Sequence, residues 1–161
     1  MRKGHGLERL MAVEMKIADA RTNALIDSGC EAEMLLSRKF ADKIGVLYEA
    51  GTVRTRLPDG TVLATFRTKN LSCEIGGIQY ETKAYVVDID AYTCILGRPW
   101  LSRFNPIVNW KKNKMLIAEG KHKHEVDASR EPSSMLNQKL KIEQVSAKQI
   151  VRGMRKGLNP L

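Results

Sequence analysis

Apolar residues in this chain come in short runs, and nearly every run ends at a turn former. That pattern leaves little room for long amphipathic helices and favours many short strands. Leu10 to Ile17 alternates roughly as a half-buried strand. Thr22 to Ile26 is a second run, reached through Asp19-Ala20-Arg21. Thr52 to Leu57 and Thr61 to Thr68 flank Pro58-Asp59-Gly60. Proline presets φ for a turn and glycine accepts a positive φ, so a β-hairpin is expected there. Leu71 to Ile75 and Ile78 to Val87 flank Gly76-Gly77, a second hairpin signal. Tyr92 to Leu96, Ile107 to Trp110 and Lys114 to Ala118 are further short strands. The expectation is an all-β domain, a small closed barrel or sandwich.

Helices interrupt this pattern in few places. Ser37 is placed to cap one, Phe40, Ala41 and Ile44 share a face, and Gly45 stops it. A second short helix is expected from Pro99 to before Pro106. Ser146-Ala147-Lys148-Gln149 has capping-box form, Ile150, Val151 and Met154 give an apolar stripe, and Gly157 ends it. The chain thus divides into an arm (1–9), a compact domain (10–118) and a basic extension (119–161) with a helix near 146–156.

Composition narrows the function classes. At 161 residues, one domain plus extensions is the natural expectation. The net charge of +9 attracts nucleic acid in principle. Aromatics are only 6%, however, and no aromatic-plus-basic recognition motif appears. Solvated surface charge is the simpler reading, and a nucleic-acid role is at most an accessory of the basic tail, residues 121–156. No apolar run approaches the length of a membrane span, so no membrane partner is expected. The N-terminus lacks the apolar block of a secretory signal, which points to an intracellular chain or a piece of a larger one. Cys30, Cys73 and Cys94 show neither CxxC spacing nor an even count, so neither a disulfide framework nor zinc follows. His122 and His124 have no suitably spaced further ligands, so neither metal nor cofactor is expected.

The chemistry lies in Ala24-Leu25-Ile26-Asp27-Ser28-Gly29, an apolar strand running into an acid, a hydroxyl and a glycine. Alone, that triplet is an ordinary turn leaving a strand. Well downstream, Cys94-Ile95-Leu96-Gly97 is a second apolar strand ending in glycine, followed by Arg98-Pro99-Trp100-Leu101. The order is strand with Asp-Ser-Gly, helix, hairpin, hairpin, strand with Ile-Leu-Gly, short helix. That order resembles the aspartic proteases of retroviruses and, most closely, of gypsy-type retrotransposons. Asn105-Pro106-Ile107-Val108-Asn109-Trp110 is similar to the segment that follows in those proteins. Val145-Ser146-Ala147-Lys148-Gln149 and Arg155-Lys156-Gly157 look like their connector toward reverse transcriptase.

The resemblance implies a retropepsin fold, an obligate homodimer and an aspartic endopeptidase that processes a retroelement polyprotein, in the cytoplasm or a retroelement particle. Peptide hydrolysis without a metal needs a base to activate water and an acid to protonate the leaving amine. Two close carboxylates can share one proton and do both. With one Asp-Ser-Gly per chain, the second carboxylate must come from a symmetric copy. Asp27, Ser28 and Gly29 are then the catalytic loop. Ile95, Leu96 and Gly97 are expected beneath it, and Pro58, Asp59 and Gly60 form the candidate flap over a peptide substrate. By the same resemblance, Glu31 and Arg98 are expected to pair and orient the loop. Departures are Cys30 where alanine is usual, Phe104 where histidine is common, Asn109 where aspartate is common, and a flap without a glycine-rich tip. The competing reading is a catalytically inert dimerisation or peptide-binding module of the same fold.

Overall fold

A computed structural model describes residues 10–56 and 62–136. The expected arm at 1–9, the candidate flap residues Pro58-Asp59-Gly60 and the expected helix near 146–156 lie outside the described residues. Among those described, short strands predominate and two seven-residue helices interrupt them.

The chain starts with a tight antiparallel pair, β1 (Ala12–Ile17) and β2 (Ala20–Ile26), joined through Ala18-Asp19. Val13, Met15 and Ile17 are all buried, as the alternation requires. Ala18 takes a left-handed φ of 54° in the turn, a costly conformation for a residue with a Cβ. Its N–H is satisfied by Ser72 O at 2.9 Å, so the turn is tied to the neighbouring strand of the same sheet.

After the loop at residues 27–33 the chain forms β3 (Met34–Ser37), then α1 (Arg38–Ile44). Ser37 caps α1, its hydroxyl accepting from the N–H of Phe40, and Gly45 ends it in the left-handed conformation at φ 79°. Two hairpins follow: β4 (Tyr48–Arg56) with β5 (Val62–Thr68), and β6 (Leu71–Ile75) with β7 (Ile78–Thr82). β8 (Tyr85–Val87) and β9 (Cys94–Leu96) lead into α2 (Arg98–Phe104). A separate three-stranded sheet closes the described part: β10 (Ile107–Asn109), β11 (Lys114–Glu119) and β12 (His122–Asp127).

The main sheet has nine strands in the order β4-β5-β8-β3-β9-β2-β1-β6-β7, curled into a half-barrel with β4 and β7 at its edges. Its centre is β9, parallel to β2 on one side and antiparallel to β3 on the other. Leu25 stands beside Ile95 and Ile26 beside Leu96, so the two motifs read from the sequence are adjacent strands. The core beneath them holds Met15, Met34, Leu36, Val86, Leu96, Met115 and Ile117, all essentially inaccessible. Trp100 joins it from α2, donating its indole N–H to Tyr80 Oη at 3.1 Å.

Three differences from the sequence reading have physical causes. The run Ile78 to Val87 is not one strand. It breaks at Lys83-Ala84, where Ala84 N–H meets Thr68 Oγ1 and Ala84 O meets Thr68 N–H, carrying the chain from β6 across to β5 and β3. Met34 to Ser37 is an additional strand, recruited by the edge of β9. The domain does not end at residue 118: β12 pairs along all of β11, Val126 and Ala128 are buried, and Ser133 exchanges backbone bonds with Asn23 and Thr93.

A chain ending at residue 118 should therefore fail to unfold cooperatively, whereas one ending at 136 should unfold in a single cooperative transition. Ile117→Ala in the longer chain should cost about 2–5 kcal/mol in chemical denaturation. Equal stability of the two truncations would show that β12 is dispensable.

Candidate active site

Asp27, Ser28 and Gly29 leave the end of β2 as an exposed tight turn. Three backbone features shape it. Asp27 N–H donates to Leu96 O at 3.0 Å, extending the β2–β9 ladder by one rung. Cys30 N–H closes on Asp27 O at 3.0 Å. Gly29 N–H donates to Asp27 Oδ1 at 2.9 Å, which aims one carboxylate oxygen. A Cβ on Gly29 would sit 3.3 Å from that oxygen, so a side chain there would press on the carboxylate. Among the described residues the other oxygen, Oδ2, and the Ser28 hydroxyl take no hydrogen bond.

The loop is held from below by the segment the sequence pointed to. Leu96 is fully buried and Ile95 half-buried beside Leu25. Gly97 is enclosed by the loop: a Cβ would lie 2.0 Å from Ala32 O and 2.5 Å from Cys30 O. Both are backbone atoms and cannot swing away. Gly97 N–H donates to Glu33 O at 3.2 Å, and Arg98 N–H to Cys30 O at 2.8 Å. The loop is thus wrapped around a residue that has to lack a side chain.

The expected pair of Glu31 with Arg98 is not formed: among the described residues no ion pair joins them, and both side chains are exposed. Arg98 contributes its backbone N–H instead. The ion pair next to the loop is Glu33 with Arg103, Nη1 to Oε2 at 2.7 Å. Sequence reasoning missed both residues, since neither belongs to a motif and they meet only when α2 folds back past β3. The candidate flap is the β4–β5 hairpin, whose register shifts between Ala50 and Arg54.

The departures have structural settings. Phe104 packs with Tyr80 and Trp100, ring centroids 4.8 and 5.1 Å apart, and fills an aromatic cluster behind α2. Asn109 Oδ1 accepts from Lys112 N–H at 3.1 Å and shapes the β10–β11 turn. Cys30 is half-buried with its thiol directed at Ala32 O, 3.7 Å away. Burial pushes that thiol's pKa up, and the neighbouring Asp27 and Glu31 carboxylates push the same way, outweighing the Ala32 contact.

The described residues hold no cluster of three or more histidine, cysteine or acidic side chains able to bind a metal ion, and no helix long and apolar enough to cross a membrane. What the site offers is one accessible carboxylate on a hydrogen-bonded turn. A single carboxylate cannot serve as base and as acid in the same step.

Comparison with known proteins agrees with this fold. Residues 23–126 match the PEG10/RTL1 protease domain, and the chain belongs to that family, a retropepsin-like domain. The retroviral protease-like domain of Ddi1 from Leishmania major superposes with a TM-score of 0.57 at 18% identity, covering 77% of this chain and 96% of that one. EIAV protease, solved with the inhibitor HBY-793, gives a TM-score of 0.53 at 23% identity, covering 63% and 94%. At these identities the likeness is one of fold. No curated protein gave a significant match.

Two measurements check the site. Gly97→Ala should destabilise the fold by about 3 kcal/mol or more, because only backbone movement relieves the contact. Cys30 should react with iodoacetamide at pH 8 more slowly than a free cysteine, because its raised pKa leaves less thiolate. Labelling at the free-thiol rate would contradict the stated environment.

Proposed function

We propose that the chain is an aspartic endopeptidase that works as a homodimer, with Asp27 of each copy forming one catalytic dyad. The observation that carries this is the Asp27-Ser28-Gly29 turn: a carboxylate aimed by a backbone N–H, fixed to β9 and open at the surface, in a protease-domain family. A two-fold axis through this turn brings the two carboxylates together and gives the free Oδ2 and the Ser28 hydroxyl partners in the second copy. The dyad shares a proton. One carboxylate takes a proton from water as that water attacks the peptide carbonyl, and the other protonates the departing amine. Gly29 lets the substrate backbone approach. The candidate flap residues Pro58, Asp59 and Gly60 close over the substrate and exclude water, and the peptide lies extended against strand edges. The resemblance to retrotransposon proteases supports a retroelement polyprotein as the substrate.

A surface for the second copy is supported by β10. Among the described residues it pairs only with β11, leaving one edge open. Ile107 on that strand is 70% exposed and Trp110 just beyond it 68%, both large apolar side chains in water. An open edge with apolar side chains is a template for pairing with another chain.

Asp27→Asn should reduce cleavage of a peptide spanning a polyprotein junction by about a hundredfold or more, with an acidic optimum in the parent chain. Full activity in that variant ends the proposal. A dimer that cleaves no member of a peptide library would instead mark a binding module. Ile107→Asp should shift sedimentation toward the monomer and lower activity in parallel; an unchanged dimer would place the interface elsewhere.

A further inference from the structure

We infer that Glu33 and Arg103 are the positioning residues of the catalytic loop, a clamp that sets where Asp27 points by locking the loop to α2. This rests on the proposed aspartic protease reading. The loop leaves β2 at Asp27 and re-enters the sheet at Met34, so Glu33 is its last residue. Glu33 is bound twice. Its backbone O accepts from Gly97 N–H at 3.2 Å, and its side chain takes Arg103 Nη1 at 2.7 Å. Gly97 and Arg103 stand at opposite ends of α2, about 9 Å apart along the helix axis. The loop is therefore gripped at both ends of one rigid element rather than at a single point.

Arg103 is itself held on three sides. The same nitrogen donates to Glu81 O at 3.1 Å on β7. Its guanidinium carbon lies 5.2 Å from the centroids of both Tyr80 and Phe104. Tyr80 in turn accepts from the buried Trp100. Glu33 thus meets a cation already immobilised by β7 and by the aromatic cluster, so little freedom is lost in forming the pair. The Glu33 side chain is 23% exposed and that of Arg103 42%, so water weakens the attraction and its stabilising effect is small. Its value is geometric. The wrap around Gly97 fixes the loop's height above β9, and the Glu33–Arg103 bond fixes its rotation about that contact, which is the motion that swings Asp27 toward or away from a symmetry mate.

The test uses the full chain with a junction peptide that the parent cleaves. Glu33→Gln should lower kcat roughly threefold to tenfold with KM little changed. Arg103→Met should do the same, Arg103→Lys should keep most of kcat, and the double variant Glu33→Gln/Arg103→Met should lose no more than Arg103→Met alone. Amide exchange at Gly97 and Arg98 should quicken by a similar factor in Glu33→Gln, while amides of β11 and β12 keep their parent rates. Parental kcat in Glu33→Gln, or losses that multiply in the double variant, overturns the clamp. If the parent cleaves no peptide, the protease reading fails instead, and exchange at Gly97 still decides: parental exchange in Glu33→Gln overturns the locking of loop to helix.

Discussion

Gly97 is enclosed by the loop that carries Asp27, and the surrounding architecture follows from keeping it so. The loop can wrap this closely only because no side chain stands between it and the start of α2. The wrap is made of backbone bonds, from Asp27 to Leu96, Gly97 to Glu33 and Arg98 to Cys30. These bonds use no side chain of residue 30, so Cys30 is accommodated beside the site. For the wrap to form, β2 and β9 must lie side by side and run the same way, and parallel neighbours need a long crossover. The segment between them supplies it, and on the way lays down β3 against the other edge of β9.

The parts legible in the sequence were those decided locally. Gly76-Gly77 makes a hairpin because both residues take positive φ, at 56° and 88°. Ser37 and Gly45 bracket α1 because each solves a capping problem within a few residues. What escaped was decided by neighbours far along the chain. Met34-Leu35-Leu36 is too short to show a period, and becomes a strand because β9 and β8 offer edges on both sides. His122 to Asp127 reads as polar tail, since Val126 is its one buried side chain and the half-buried His124 on the same face is itself polar. Its place is set by β11, and by the β6–β7 turn, where a Cβ on Gly76 would lie 2.7 Å from Val126 Cγ2.

The site divides in the same way. The resemblance carried by the two glycine-ended strands was enough to expect Ile95, Leu96 and Gly97 beneath Asp27, and the β2–β9 pairing puts them there. The charged support was not legible. Glu31 and Arg98 are the acid and base nearest the two motifs, yet proximity to a motif does not fix where a side chain points. Arg98 opens α2 and faces solvent, whereas Arg103, further along the helix, is turned toward β7 and Glu33. Helical phase, and not sequence distance from the motif, selects the partner.

A catalytic centre shared between identical chains places an unusual demand on each chain alone. In a single-chain enzyme, both reactive groups are fixed by one folded body, and errors in one can be absorbed by the other. In the proposed symmetric dimer every displacement of Asp27 is repeated by the axis, so the separation of the two carboxylates changes by twice the component toward it. A loop free to wander by half an ångström in each copy would put a full ångström into the dyad, enough to cost catalysis dearly. The bonding seen here, with backbone bonds at Asp27, Cys30, Gly97 and Arg98 and an ion pair at the loop's end, is made within the single chain. On the proposed reading, that is where the cost of ordering the site is met: in folding each chain, leaving association to join two surfaces already shaped for it.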